Sequence, residues 1–166
     1  SLYYSREALK QAIQIKDDYL IATAYNTIAG NYNELSENDK AIDIYKKALV
    51  YAVRSGNDSI IGWVNNNLGN VYFFDKRNYP EGIRHYHNAI TYAQKTADTS
   101  KLVLTHLNLA LAYSETGAFN KGLRHLQFLN AHHEKFGDTN TAAFRLMLNA
   151  VYTGHAGQYA KADSYF

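Results

Sequence analysis

The sequence predicts an all-α chain built from antiparallel helix pairs, and three observations carry that expectation. Breakers are scarce: one Pro and ten Gly in 166 residues leave room for long helices joined by short turns. Asp recurs at 18, 58, 98 and 138, a spacing of forty that marks a repeated unit the size of one helix hairpin. An apolar–small–x–x–aromatic pattern follows the first three of these Asp: Ile28-Ala29 before Tyr32, Leu68-Gly69 before Tyr72, and Leu109-Ala110 before Tyr113. The small residue admits a neighbouring helix, and the Tyr three positions later lies on the same face.

Taken in order, the elements are helices over about 1–16, 18–35, 38–55, 58–75, 79–96, 99–116, 119–136, 139–155 and 158–166. Residues 1–16 read as the second helix of a unit, because Ala8 and Ala12 match Ala48 and Ala52 forty residues on. Each recurring Asp stands where an N-cap is wanted, its carboxylate accepting from the orphan N–H groups of the next helix. The helix over 38–55 carries Ala41, Tyr45 and Ala48 on one stripe; the helix over 79–96 carries Gly82, Tyr86 and Ala89, and that over 119–136 Gly122, Leu126 and Leu129. Pro80 fits the first turn of its helix, where a missing N–H does no harm. One residue is inserted beside it: Tyr72 to Tyr79 is seven residues, whereas Tyr113 to Phe119 is six. The fourth unit is less regular, with Gly157 and Tyr159 matching Gly117 and Phe119. The expected organisation is a single array over 1–166, with repeats at 18–56, 58–97 and 98–137, half of one before and a partial one over 138–166. Both ends break inside repeats, and the array is expected to be a piece of a longer chain.

Composition excludes several functions. The apolar share is 46%, the charged share 19% and the net charge +2, values of an ordinary globular domain. No Lys/Arg run marks a nucleic-acid footprint, and no apolar stretch reaches the length of a membrane span. Neither partner is expected for this segment, and its compartment is undetermined by the sequence. Cys is absent, so disulfides, thiolate catalysis and Cys–zinc sites are excluded. Seven His are present, but His85-x-His87 and His132-His133 lack the i, i+4 spacing of a helical metal pair. No metal and no cofactor are expected. His85 and His125, each preceded by Arg, are expected on a solvated convex face. Glu34, Glu115 and His106 match no catalytic arrangement, so no enzyme is expected.

These residues resemble tetratricopeptide repeats. The family pattern is Leu-Gly-x-x-Tyr in the first helix, Gly-x-Tyr/Phe at the turn, then Ala-x-x-x-Phe/Tyr-x-x-Ala in the second. Leu68, Gly69, Tyr72, Tyr79, Gly82, Tyr86 and Ala89 match it in the second repeat. Leu109, Ala110, Tyr113, Gly117, Phe119 and Gly122 match in the third, and Ile28, Ala29, Tyr32, Ala41, Tyr45 and Ala48 in the first. The period of about forty is nearer the long repeats of kinesin light chains and of bacterial signalling regulators. Tyr25, Asn65 and His106 stand where the family has Trp. The resemblance implies a right-handed α-solenoid whose concave face is lined by the first helix of each pair.

On a helical wheel at 100° per residue, Trp63, Asn66, Asn67, Asn70, Phe73 and Phe74 fall within about 80° of one direction. Leu68 and Tyr72 point away. Amides both donate to and accept from a peptide backbone, and aromatics give large contact area at small entropic loss. The stripe is therefore the candidate binding groove for a protein or peptide segment. In long-repeat relatives the Asn before the Leu-Gly pair bonds a bound peptide; by resemblance that role falls on Asn67 and Asn108, less directly on Asn149, with Thr27 and the adjacent Asn26 at the same place in the first repeat. Against this stand two other readings: a sensory or dimerisation module of a larger regulator, and a structural spacer whose amides and aromatics only pack between repeats. Exposed end helices also allow association between copies.

Overall fold

The computed structural model describes residues 2–132, 139–158, 161–162 and 164–165. Its elements are α1 (Leu2–Ile15), α2 (Asp18–Glu34), α3 (Asn38–Ser55), α4 (Asp58–Asn70) continued by a π-helical segment (Val71–Asp75), α5 (Tyr79–Lys95), α6 (Thr99–Glu115), α7 (Phe119–Ala131) and α8 (Thr139–His155). There is no strand among the described residues. The chain forms two compact units, Ser1–Ala97 and Asp98–Phe166, divided where one forty-residue period ends and the next begins. The helix expected over 119–136 is followed only to Ala131, and residues 133–138, with most of the last expected helix, lie outside the described set.

Helix starts and stops repeat as regularly as the cores do. α2, α4 and α6 are capped by Asp17, Asn57 and Asp98, whose side chains accept from the N–H of Leu20 (3.0 Å), Ile60 (3.1 Å) and Lys101 (3.1 Å). Of the three recurring Asp among the described residues, then, Asp98 alone is a cap. Asp18 and Asp58 sit one residue inside, where a carboxylate favours the positive helix end, and Asp138 is outside the described residues. Asp18 and Asp58 also reach the far ends of their partner helices, at Arg54 (3.2 Å) and Lys95 (3.9 Å). The cap is set back in α2 and α4 because Asp17 and Asn57 already supply the oxygen. α5 is capped by Asn78, with Pro80 in its first turn.

The stops follow a period of about twenty. Left-handed residues occur at Lys16, Ser36, Gly56, Arg77, Ala97, Gly117 and Gly157, with φ between 51° and 77°. Each ends one helix and turns the chain into the next. Glycine occupies only three of these positions, so Lys16, Ser36, Arg77 and Ala97 hold a conformation that disfavours a Cβ by roughly 1 kcal/mol.

In the first unit α2, α3 and α4 share one core. Ala22, Ala29, Ala41, Ala48 and Ala52 are fully buried beside Tyr45, Val64 and Leu68. Small residues at these spacings bring the helix axes close, and the rings of Tyr25 and Tyr51 stack at 5.7 Å over the seam. α4 meets α5 through two glycines. A Cβ on Gly69 would lie 2.5 Å from the Tyr86 ring, and one on Gly82 would lie 2.7 Å from Phe73 Cβ. Tyr86 has no exposed surface, and its hydroxyl donates to Asn70 Oδ1 at 2.8 Å; burying a ring of that size contributes about 2 kcal/mol or more.

The inserted residue beside Pro80 explains the π-helical turn. From Tyr72 to Tyr86 is fourteen residues, whereas Tyr32 to Tyr45 is thirteen. To keep both Tyr in place the chain widens one turn: Lys76 N–H bonds Val71 O at 3.0 Å, an i→i+5 contact, instead of the carbonyl four back.

The second unit packs α6, α7 and α8 around Val103, Leu107, Ala110, Leu126, Leu129 and Leu148. Gly122 leaves space for Tyr152, whose hydroxyl donates to Ala110 O at 2.7 Å. A Cβ there would lie 1.7 Å from that hydroxyl. Asn130 and Asn149 form a reciprocal amide pair between α7 and α8, at 2.8 and 2.9 Å.

Candidate functional site

The face in question is the outer side of α4, a helix with no charged side chain from Ser59 to Asn70. Its expected stripe is divided by the structure. Trp63 (44% exposed) and Phe74 (49%) are open, and Asn67 and Asn70 lie half-buried between them. Asn66 and Phe73 are buried. Phe73 lies toward the α5 side. Phe73 packs over Gly82 with its ring 4.8 Å from Tyr79 and 6.3 Å from Tyr86. A wheel at 100° per residue misplaces Phe73, because the π-helical turn advances by a smaller angle per residue.

The amides divide similarly. Asn67 Nδ2 donates to Asn26 Oδ1 at 3.0 Å, so the structure brings these two residues of neighbouring first helices together. Asn26 is itself buried and serves as the anchor of that bond. Beyond that bond the Asn67 amide has, by its chemistry, a second N–H and a carbonyl oxygen. Asn70 accepts from Tyr86. Thr27 is exposed, and its hydroxyl returns to Thr23 O at 3.0 Å. Asn108 is half-buried on α6 in the second unit. Asn149 is buried in its pair with Asn130, which makes it a packing residue.

A second polar feature, which sequence reading misassigned, lies inside the hairpins. His85 and His125, expected on a solvated convex face, are 5% and 3% exposed. His85 Nδ1 pairs with Asn65 Oδ1 at 2.9 Å, and Arg84 reaches its Nε2 at 3.0 Å. His125 Nδ1 pairs with His106 Nδ1 at 3.2 Å, and Arg124 Nε donates to its Nε2 at 3.2 Å. With the Arg donating to Nε2, each second-helix imidazole carries its proton on Nδ1 and donates it across the hairpin. Tyr72 stacks on His85 at 5.5 Å and Tyr113 on His125 at 5.9 Å. Asn65 and His106 occupy the positions at which the repeat pattern has Trp, so a buried hydrogen bond replaces an indole ring as the filler of the hairpin. The signal was present in the sequence as Arg-His pairs forty apart, and burial was the unknown. Burial, with Arg84 adding to it, lowers the pKa of His85 to about 4; burial, with His132 and Arg124, does the same to His106.

Burial raises the hydroxyl pKa of Tyr45 to about 12, and the carboxylates of Glu34 and Asp75 add to the effect. Among the described residues no group of three or more His, Cys, Asp or Glu is placed to hold a metal ion, and no helix is long and apolar enough to cross a membrane.

No protein-family model and no curated protein matches the chain. Among solved structures, BtubC (BKLC) from P. vanneervenii matches with a TM-score of 0.86 and 20% identity over 97% of this chain and 67% of that one. The apo form of RapI matches with a TM-score of 0.84 and 21% identity over 99% of this chain and 46% of that one. The chain thus spans about two thirds of the one protein and under half of the other. Both are helical repeat proteins, and the likeness shows the fold: an all-α, tetratricopeptide-like assembly of helix hairpins.

Proposed function

We propose that the chain is a non-catalytic scaffold of the long-repeat tetratricopeptide type, holding a protein or peptide segment against the open face of α4. The observation that supports this best is the exposure of Trp63 and Phe74 on either side of the half-buried amides Asn67 and Asn70. Trp63 and Phe74 are eleven residues apart, about 16 Å along a helix, the reach of roughly five residues of extended peptide. Two aromatics at that separation accept apolar side chains, while Asn67 bonds the peptide backbone between them. Asn26, by fixing the Asn67 amide, sets its orientation before a ligand arrives. Asn108 is assigned the matching role on α6. The fold likeness to RapI is in keeping with a protein-binding scaffold.

The test is affinity selection of peptides from a displayed library on the purified chain, followed by titration of the selected peptides against variants. Trp63→Ala and Asn67→Ala are expected to weaken binding about tenfold or more with helicity unchanged. If these variants bind normally, or if they lose helix instead of affinity, the reading fails. A sensory module of a larger regulator uses the same face, and differs in predicting that peptide binding alters an attached domain.

A further inference from the structure

We propose that the notch over Gly30, on the outer side of α2, binds a primary carboxamide, the side-chain group of a Gln in a segment held by the chain. The notch ends on the hydroxyl of Tyr45. Tyr45 is 4% exposed, with its ring packed into the core of α2, α3 and α4. Its hydroxyl makes no hydrogen bond to any described residue. A buried hydroxyl without an acceptor is unfavourable, and the repeat shows how the need is met elsewhere. In the second repeat Tyr86, the counterpart of Tyr45, donates to Asn70 Oδ1 at 2.8 Å. Asn70 is the counterpart of Gly30. In the third repeat the same two places hold Leu126 and Leu111, so hydroxyl and amide are absent together. Of these three repeats, the first alone keeps the hydroxyl and lacks the amide. A Cβ on Gly30 would lie 3.6 Å from Tyr45 Oη, and within 4 Å of no other described residue beyond its own stretch of α2. Gly30 itself is half-exposed, so the hydroxyl is reached from outside over the glycine.

Two carboxylates define the rest of the ligand. Glu34, one turn on from Gly30 along the same stripe of α2, and Asp75, at the end of the π-helical segment, are both exposed. Burial, and after it these two carboxylates, keep the Tyr45 hydroxyl protonated, so it remains a donor. Lys76, the cation beside Asp75, is engaged by Asp39 at 2.7 Å. The notch thus offers an O–H donor at its base and carboxylate acceptors at its rim. A primary carboxamide meets both: its oxygen accepts from Tyr45, as Asn70 Oδ1 does from Tyr86, and its NH2 group donates to the rim. A carboxylate ligand is repelled by that rim, and an ammonium leaves the Tyr45 O–H without an acceptor. Gly30 follows Asn26 by one turn on α2, and Asn26 is bonded to Asn67, so the notch adjoins the α4 face. As a subsite for a segment held there it rests on the scaffold reading, while its own chemistry is tested without such a segment.

The probe is N-acetyl-glutamine methylamide, which has no group for Trp63 or Phe74. It is titrated into the isotopically labelled whole chain and followed by NMR at the Gly30 amide. Saturable shifts with a Kd on the order of 1–10 mM are expected. The matching glutamate and lysine probes should bind about threefold or more weakly. Tyr45→Phe should weaken the glutamine probe about threefold or more. It should melt no lower than the wild type, because the lost hydroxyl has no partner in the fold. Tyr86→Phe, which strands Asn70 Oδ1, should melt lower. Gly30→Asn should supply the acceptor internally, abolish probe binding and raise the melting temperature. No saturable shift, equal binding of the lysine probe, or a Tyr45→Phe chain that binds normally or melts below the wild type overturns the proposal. Failure of this probe while library peptides still bind rejects the subsite and leaves the scaffold. Binding of the probe without any library peptide supports the subsite and rejects the scaffold.

Discussion

His106→Asn is expected to remove about half of the acid sensitivity of the chain while leaving its stability near neutral pH almost intact. In the unfolded chain both His85 and His106 titrate near 6.5; in the fold both are lowered to about 4, chiefly by burial. Above pH 6.5 both imidazoles are neutral in either state, and their hairpin bonds are fully present. Between pH 6.5 and 4 the unfolded chain takes up protons that the folded chain refuses, so stability falls as pH falls. A tenfold difference in proton affinity is worth about 1.4 kcal/mol, so each imidazole accounts for on the order of 3 kcal/mol across that window. Two such groups approach the whole stability of a typical domain, about 5–15 kcal/mol. The carboxylates of Glu81 and Asp98, lowered by Arg84 and Lys101, act in the same direction but below the ordinary carboxylate range, and leave the window above pH 4.5 to the histidines. His106→Asn places in the third repeat the residue that Asn65 supplies in the second, with the same Oδ1 available to a Nδ1–H. Urea melts followed by circular dichroism at pH 7.5, 6.5, 5.5 and 4.5 measure the slope. The wild type should lose up to about 2.7 kcal/mol per pH unit between 6 and 5, and the variant about half of that. A flat profile over this range, or a slope unchanged by the substitution, would refute the argument that the imidazoles are buried neutral.

Other outcomes follow from the same packing. Ser36→Gly relieves a left-handed residue at φ 59°, and melting should show a gain of about 0.5–1 kcal/mol. Gly122→Ala forces Tyr152 off Ala110 O and presses on Tyr113 Cβ, 2.9 Å from the new methyl; a loss of about 2–3 kcal/mol is expected in denaturant titration. Asn149→Ala leaves Asn130 without its reciprocal partner and should destabilise the chain by about 1–2 kcal/mol. Phe74→Ala removes an exposed ring, and its melting should stay within about 0.5 kcal/mol of wild type.

Local chemistry made most of the fold legible in the sequence. The forty-residue recurrence, the near absence of Pro and the small–aromatic spacing define helices whose bounds agree with the structure within a residue or two through α6. They do so because each element's start and stop are set by its own caps and turn residues. Even there, Asp17 and Asn57 displaced the expected Asp18 and Asp58, since neighbouring oxygens compete for the same N–H groups. The candidate face was only partly legible. A wheel orders the side chains of a uniform helix; it contains no information on the extra residue that widens the turn at Val71–Asp75 and carries Phe73 into the α5 contact.

The sequence alone determined that this chain is a repeated helix hairpin with a neutral, amide-rich first helix bearing Trp63, Asn67, Asn70 and Phe74. Periodicity suffices for that, because it acts residue by residue. Which polar groups are inside was decided only by tertiary structure. The pairs His85–Asn65 and His125–His106 differ from a solvated ridge only in what lies across the hairpin, and no spacing along one helix records the partner on another.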